Sequence, residues 1–447
     1  MGAHEGAGHI LFGMSPVWVS TILLVLTYAL IVTERLNRSI IALLGGGVMI
    51  ASGVLTQEEA IAGIDFNTLA LLTGMMVLVS ISRRCGMFEY LAIWSAKKGR
   101  AQPWAMLLIL SLTTAVLSAF LDNVTTVLLV APVTLAVTRQ LKVPPYPFLF
   151  AEIFASNIGG TATLIGDPPN IIIGSAAGLS FDDFVLNLTP VILVVMAGQL
   201  LAMHLIWGRA MHATDAARAR VMALDERATI TDRTLLRNSL IVIGAVMLCF
   251  VFAHALHLEP GTIALFGAAV LMLLHNIEHH NEKEKQNVKV TETFNEVDWI
   301  TIFFFVGLFI VVHGFDAAGA IAILSHRLLA ATGGDFASTA YAILWGSAVL
   351  SAIVDNIPFV ATMIPLIKAM APTFGAEHLQ PLWWALSLGA CLGGNGTLIG
   401  ASANLTVAGI AERNGIEFSF LTYTKYAFGL MVLSVAICHV YLWLRYL

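Results

Sequence analysis

Charge is scarce in this chain. Only 11% of its 447 residues are Asp, Glu, Lys or Arg, while 58% are hydrophobic. Soluble domains carry about a quarter charged residues, so this composition cannot cover a water-facing surface of that size. Cysteine is also sparse. The four present (Cys85, Cys249, Cys391 and Cys438) show no CxxC spacing, which argues against a disulfide framework or a zinc site. No cofactor is expected. The net charge of −5 is small, and nothing in the sequence suggests a nucleic-acid partner. No Lys or Arg precedes the first apolar run. The opening MGAHEGAGH has neither a basic region nor a cleavage site, so the first apolar run is expected to serve as an uncleaved insertion signal.

What is present instead is one apolar run of bilayer-spanning length after another. Spans are expected at Ser15–Thr33, Ile40–Leu55 and Phe66–Ser82, then a pair near Pro103–Phe120 and Val124–Val137. Phe148–Ala177 and Pro190–Trp207 complete the first half. The second half reads Asn238–His257, Thr262–His275, Trp299–His313, a pair near Ala340–Val354 and Ile357–Ala369, then Leu382–Ala411 and Tyr426–Leu444. The class is a polytopic all-α membrane protein.

Loop charge sets the orientation. Arg209–Arg237 holds six arginines and is placed in the cytoplasm as an amphipathic linker. The loop Arg83–Arg100 is basic as well. Thr56–Asp65 and Leu179–Thr189 carry acids without Lys or Arg and are placed outside, with the N-terminus. These assignments agree only if the pair around Asp122 enters and leaves on the cytoplasmic side, as a re-entrant hairpin. Glu278–Asp298 reads as a polar loop. Glu278, His279 and His280 within it form a weak candidate metal cluster, and a solvated loop is the expected role.

The chain is also a repeat. "SAFLDNVTTVLLVAP" (Ser118–Pro132) returns as "SAIVDNIPFVATMIP" (Ser351–Pro365), which carries Asp122 onto Asp355. The same shift carries Asp65 onto Asp298, Gly74 onto Gly307 and Gly86 onto Gly319. "GGTATLIGDPPN" (Gly159–Asn170) returns as "GGNGTLIGASAN" (Gly393–Asn404). The expected organisation is a first repeat over 1–208, a linker over 209–237 and a second repeat over 238–447. Each repeat holds five spans and one hairpin, near 103–137 and 340–369. Five is odd, so the second copy is inverted, giving ten spans and two hairpins, the plan of secondary transporters. Pro168 and Pro169 cannot continue a helix, so 148–177 is expected to break at mid-membrane. The glycines of 382–411 do the same there. Freed carbonyls at such breaks can coordinate a cation, and half-helix N-termini can face an anion.

The Asp-Asn tips together with "NIGGTATLIGDPPN" resemble the ion transporter superfamily, and within it the arsenite-antimonite efflux and melanocyte P-protein branch. The likeness covers essentially the whole chain. It implies a scaffold domain and a mobile transport domain, with a solute and ion site between the hairpin tips and the helix breaks. Carried over, one half-site is Asp122, Asn123, Thr125, Gly159, Thr161, Thr163 and Asn170. The other is Asp355, Asn356, Asn395, Thr397 and Asn404. The resemblance further implies a cell (inner) membrane location, a small inorganic or organic solute, a homodimer through the scaffold, and a cytoplasmic ATPase subunit if arsenite is the solute.

Asp122 and Asp355 are the expected coupling residues. Two carboxylates held close in a low-dielectric site compete for charge, so at least one is expected to exchange a proton or bind a small cation. Each is also a natural N-cap for the half-helix that follows it. The expected cycle is elevator-like export of arsenite, antimonite or a related small oxyacid or anion, driven by protons. The absence of arginine from tips and breaks argues against a multiply charged solute. Asp167 has Ala401 as its counterpart and is expected to cap the half-helix that starts at Pro168. Glu152 is expected to pair with Arg139 or Lys142. Asp316 and His313 are expected at the interface. Cys391 alone is a poor ligand for trivalent arsenic. Three other readings stand beside this one: a sodium/proton antiporter using the same aspartates, a passive channel, and an intramembrane aspartyl protease. The last lacks the Gly-x-Gly-Asp motif and leaves the symmetry of Asp122 with Asp355 unexplained.

Overall fold

The computed structural model describes residues 13–33, 35–209, 211–277 and 282–447. The candidate cluster Glu278, His279 and His280 lies outside the described residues. All regular structure among the described residues is helical. Eight helices have the length and composition to cross a membrane, from Phe66–Arg83 to Phe420–Arg445, and shorter apolar helices such as Pro16–Val32 and Arg38–Ala51 accompany them. The chain is a multi-pass membrane protein.

Length alone does not separate crossings from hairpin arms, because Pro103–Phe120 and Asn123–Leu141 both pass that test. Their feet lie together. The carbonyl of Arg100, before the first arm, accepts from Arg218, and that of Gln140, at the end of the second, accepts from Arg220. Both feet therefore meet the 209–237 segment on one side of the molecule, and the arms form a hairpin. The second hairpin is Phe336–Ile353 with Asn356–Lys368. Helix Ala320–Ala331, which follows the far end of Trp299–Ala317, packs on its second arm.

The broken helices fall where the glycines and prolines put them. The first runs Tyr146–Thr161 and resumes at Pro168–Ala177; the second runs Gln380–Gly393 and resumes at Ser402–Arg413. The heaviest packing falls into two groups. In one, Phe66–Arg83 lies on Pro260–Asn276, and Trp299–Ala317 lies on Arg38–Ala51. The same crossing thus occurs twice with the halves exchanged. Glycine makes each crossing close: a Cβ on Gly74 would sit 2.5 Å from the Ala264 backbone, and one on Gly307 would sit 2.3 Å from that of Ala42. Small residues at such crossings supply van der Waals packing where lipid offers no hydrophobic drive. In the other group each hairpin lies on the broken helix of its own half.

The repeated Asp65 and Asp298 are N-caps, each accepting from the amide and hydroxyl of a threonine three residues on. They satisfy orphan amides of the first turn. Gly86 and Gly319, at φ +81° and +83°, hold the left-handed turn that leads into a helix.

Several expected loops are helices. Arg83–Arg100 contains Met87–Lys98, and Glu278–Asp298 contains Lys283–Asn295. The second is held against the core by Arg84, which pairs with Glu292 at 3.3 Å and Glu296 at 3.0 Å. The helix expected from Pro190 starts at Phe181, because Ser180 and Asp183 form a capping box, and Pro190 is carried inside it.

Candidate functional site

Each hairpin tip is held by the break of its own half. The last carbonyls of a helix lack intrahelical donors. Ala119 O, at the end of the first arm, accepts from Thr163 Oγ1 at 2.5 Å, and Ala352 O accepts from Thr397 Oγ1 at 2.5 Å. Ser118 and Ser351 reach across to Ser156 O and Ala390 O, both at 2.6 Å. Gly159 and Gly393 allow these approaches. A Cβ on either would meet the carbonyl oxygen of Ala115 at 2.1 Å or of Ala348 at 2.5 Å. Gly159 therefore sits in a close helix crossing.

The breaks are strapped by asparagine. Asn170 Nδ2 donates to Thr161 O at 3.1 Å and Thr163 O at 2.9 Å. Asn404 Nδ2 donates to Gly394 O at 2.8 Å and Thr397 O at 2.9 Å. Carbonyls freed by the breaks thus already accept hydrogen bonds within the chain.

Between the breaks lies a residue that motif reading missed. Asn157 Oδ1 accepts from Asn123 at 2.9 Å, and its Nδ2 donates to Asn395 Oδ1 and Asn404 Oδ1, both at 2.9 Å. It joins the first tip to the second break. Its place in the second half is taken by Cys391, whose thiol faces Asn170 Oδ1 at 3.6 Å, while Ser387 donates to the same oxygen at 2.6 Å. A polar residue in the apolar "FASNIGG" run is the signal by which Asn157 could have been found.

Both aspartates cap their arms. Asp122 Oδ1 accepts from Thr125 N at 2.8 Å and Asp355 Oδ1 from Ile357 N at 3.1 Å. Their surroundings differ. Asp355 Oδ2 also accepts from Arg38 at 3.2 Å and Ser402 at 3.0 Å. Asp122 bonds to no cation among the described residues. Arg38 stands 317 residues before its partner, which is why no local motif announces it. No arginine lies within the tip and break segments themselves, and Arg38 reaches the second tip from another helix.

Two other assignments change. Asp167 occupies the N-cap position of Pro168–Ala177, yet its side chain makes no capping bond. It faces Asn356 Nδ2 at 3.5 Å, and its Oδ2 is buried without a partner. Glu152 is buried and accepts from Thr134 Oγ1, while Arg139 turns away to Asn414. The hydroxyl lies on the facing hairpin arm and reaches the carboxylate deep in the packing, whereas Arg139 stays at the surface end of that arm.

Asp122, Asn123, Thr125, Asp167 and Asn356 line one cavity of about 350 Å³, which Arg38 and Arg83 also border. Asp355 lies in a second cavity of about 300 Å³. Arg38 and Ser402 belong to both and separate them. Arg83 and Glu296 place the mouth of the first cavity on the face where Arg84 pairs with Glu296 and Thr231 Oγ1 donates to Arg84 O. Both tips are thus reached from the side that carries the 209–237 segment. Thr161, Asn170, Asn395 and Asn404 are buried and do not border either of these two cavities.

Paired hairpins, paired helix breaks and a polar cavity between them define a membrane transporter. The chain belongs to the citrate transporter (CitMHS) family of the ion transporter superfamily, whose family model matches residues 28–389. It is 42% identical over 433 residues to an uncharacterized transporter of Mycobacterium tuberculosis, covering 96% of this chain and 98% of that one. Human P protein is 34% identical over 517 residues, covering 95% of this chain and 59% of P protein. Among solved structures, the Alcanivorax borkumensis YdaH transporter shares the fold with a TM-score of 0.58 at 13% identity, covering 96% of this chain and 99% of that one.

Proposed function

We propose that this chain is a secondary active transporter that exchanges protons for a small oxyacid or anion, with arsenite and antimonite, moved as neutral hydroxides, as the first solutes to test. The observation that carries this reading is the cavity itself. Asp122 and Asp167 face it without a bonded cation among the described residues, beside the amides of Asn123 and Asn356. Carboxylates so placed can exchange protons with cavity water, and amides can hydrogen-bond an uncharged polyhydroxyl solute. The family's description adds citrate to the panel, and Arg38 and Arg83 at the cavity border are the cations such an anion would need.

In this reading the two packing groups are the scaffold and the transport domain of an elevator-like cycle between inverted repeats. The 209–237 segment faces the cytoplasm, the N-terminus lies outside and the membrane is the inner one. A homodimer through the scaffold and, for arsenite, a cytoplasmic ATPase subunit are the candidate partners. Purified protein in liposomes, assayed with arsenite, antimonite and citrate under imposed pH and sodium gradients, tests it. Proton-driven flux of none of these solutes would refute it.

A second reading, sodium/proton antiport, has its own observation. Asn123 Oδ1 and Asp167 Oδ2 are both buried without partners, and Asp122 lines the same cavity. An oxygen-only set suits a hard cation. Sodium-driven proton flux without any added solute would favour it.

A further inference from the structure

Arg38 opens helix Arg38–Ala51, and its guanidinium is held from four directions. Nη1 donates to Asp355 Oδ2 at 3.2 Å and Ser402 Oγ at 2.7 Å, and Nη2 donates to Thr301 Oγ1 at 3.0 Å. The Phe304 ring centre lies 5.1 Å from the guanidinium carbon, within cation–π reach. Arg38, Thr301 and Phe304 belong to one packing group. Asp355 and Ser402, at a hairpin tip and at the start of a half-helix, belong to the other. The ion pair therefore crosses the joint that alternating access must open and close. With Arg38 28% and Asp355 15% exposed, it is shielded more than a surface pair.

Among the described residues the other half has no such ion pair. The helix that corresponds to Arg38–Ala51 opens at Pro260, with Glu259 before it. Arg38 is the charged group bonded to Asp355, and Arg83, Asp122, Asp167, Glu296 and Asp298 line the adjoining cavity that Arg38 also borders. In the cavity beside Asp355, Arg38 is the one other titratable residue among those described. The Asp355 carboxylate can be neutralised by Arg38 or by a proton, and the two compete.

We propose that Arg38 takes the proton's place on Asp355 when the cavity opens toward the 209–237 side, so that proton release and closure of this ion pair are one event. This rests on the proton-coupled reading above and adds the residue that makes release one-sided. The proton passes from the carboxyl of Asp355 to cavity water as Arg38 Nη1 closes on Asp355 Oδ2 and Ser402 Oγ, and no other covalent bond changes. When the tip moves away from Arg38, Asp355 loads a proton from the opposite side. Arg38 is a positioning charge here and does not touch the solute in this role.

The test needs no substrate. Protein in nanodiscs carrying Leu128→Cys and Cys249→Ala is labelled with a membrane-impermeant maleimide from about pH 5 to about pH 9, a window that takes in the range to which burial raises carboxyl groups in general. Leu128 lines the first cavity, is 43% exposed and makes none of the contacts above. Rates are normalised to the denatured protein at each pH. With Arg38 and Asp355 intact, labelling is expected to be at least about fivefold faster at the alkaline end, because the ion pair selects the open state. Arg38→Gln and Asp355→Asn should each abolish that dependence, and Arg38→Lys should keep most of it. Unchanged pH dependence in Arg38→Gln, or none with both residues intact, overturns the proposal. Arsenite flux in liposomes is the separate arm. Absence of arsenite flux removes that solute, absence of antimonite and citrate flux as well refutes the proposed function, and either result leaves the labelling to decide the role of Arg38.

Discussion

Asp122 carries two tasks on one side chain. One oxygen caps the second hairpin arm through Thr125 N at 2.8 Å, and the carboxylate also lines the cavity. An asparagine keeps an oxygen for the cap and loses the titratable charge. Asp122→Asn is therefore expected to express and fold normally while proton-driven flux falls to background, as measured in liposomes. Wild-type flux would remove Asp122 from coupling. Asn157 predicts the reverse pattern, because its bonds are structural. Asn157→Leu leaves Asn123 Nδ2 and two asparagine oxygens without their partner. A buried polar group left unpaired costs about 1–3 kcal/mol. The thermal midpoint in detergent should fall by several degrees, and an unchanged midpoint would show that water replaces the side chain there. Both aspartates were legible in the sequence, because a charge in an apolar run stands out and recurs in the second copy. Arg38 was not. It stands at a helix start, where arginine is ordinary, and only tertiary packing brings it to Asp355.

At the scale of elements, the hairpins and breaks were legible because repetition and Pro-Pro-Asn leave few alternatives. The helices Met87–Lys98, Ala320–Ala331 and Lys283–Asn295 were not. Lys283–Asn295 is polar and charged, so the hydropathy that reveals a span passes over it, and Met87–Lys98 is largely apolar but only 12 residues long and ends in two lysines. Ala320–Ala331 is apolar but only 12 residues long, too short to stand out as a span. The glycines were seen, but their meaning was split. Gly159 is a site residue by resemblance, and in the structure it lets the first hairpin pack closely on its broken helix. This distinction is testable. Gly159→Ala places a methyl 2.1 Å from Ala115 O, a backbone atom that cannot rotate away, whereas Gly244→Ala meets nothing within 4 Å. Overpacking of this kind costs about 1–3 kcal/mol. Gly159→Ala should lower the yield of monodisperse protein in size exclusion while Gly244→Ala matches wild type. Equal yields would mean that the crossing relaxes without cost.

For the whole molecule, the question is whether the two packing groups move against each other. Besides the Arg38 contact there is one on the opposite side. Asn67, at the start of Phe66–Arg83, donates to Ser175 Oγ at 3.2 Å on the second half of the first broken helix, and its Oδ1 accepts from Gly261 N at 2.8 Å. A cavity of about 380 Å³ bordered by Asn67, Ser175, His254 and His257 lies beside this contact. A displacement that opens that side must pull Ser175 away from Asn67. Asn67→Cys with Ser175→Cys, oxidised to a disulfide, should hold the molecule open toward the 209–237 side. Transport should then fall by at least about tenfold and return on reduction, while each single variant stays near wild type. The labelling of Leu128→Cys should become fast and insensitive to pH in the oxidised protein. Full transport through a quantitative cross-link would show that these helices move together, and the division between scaffold and mobile domain would have to be redrawn elsewhere.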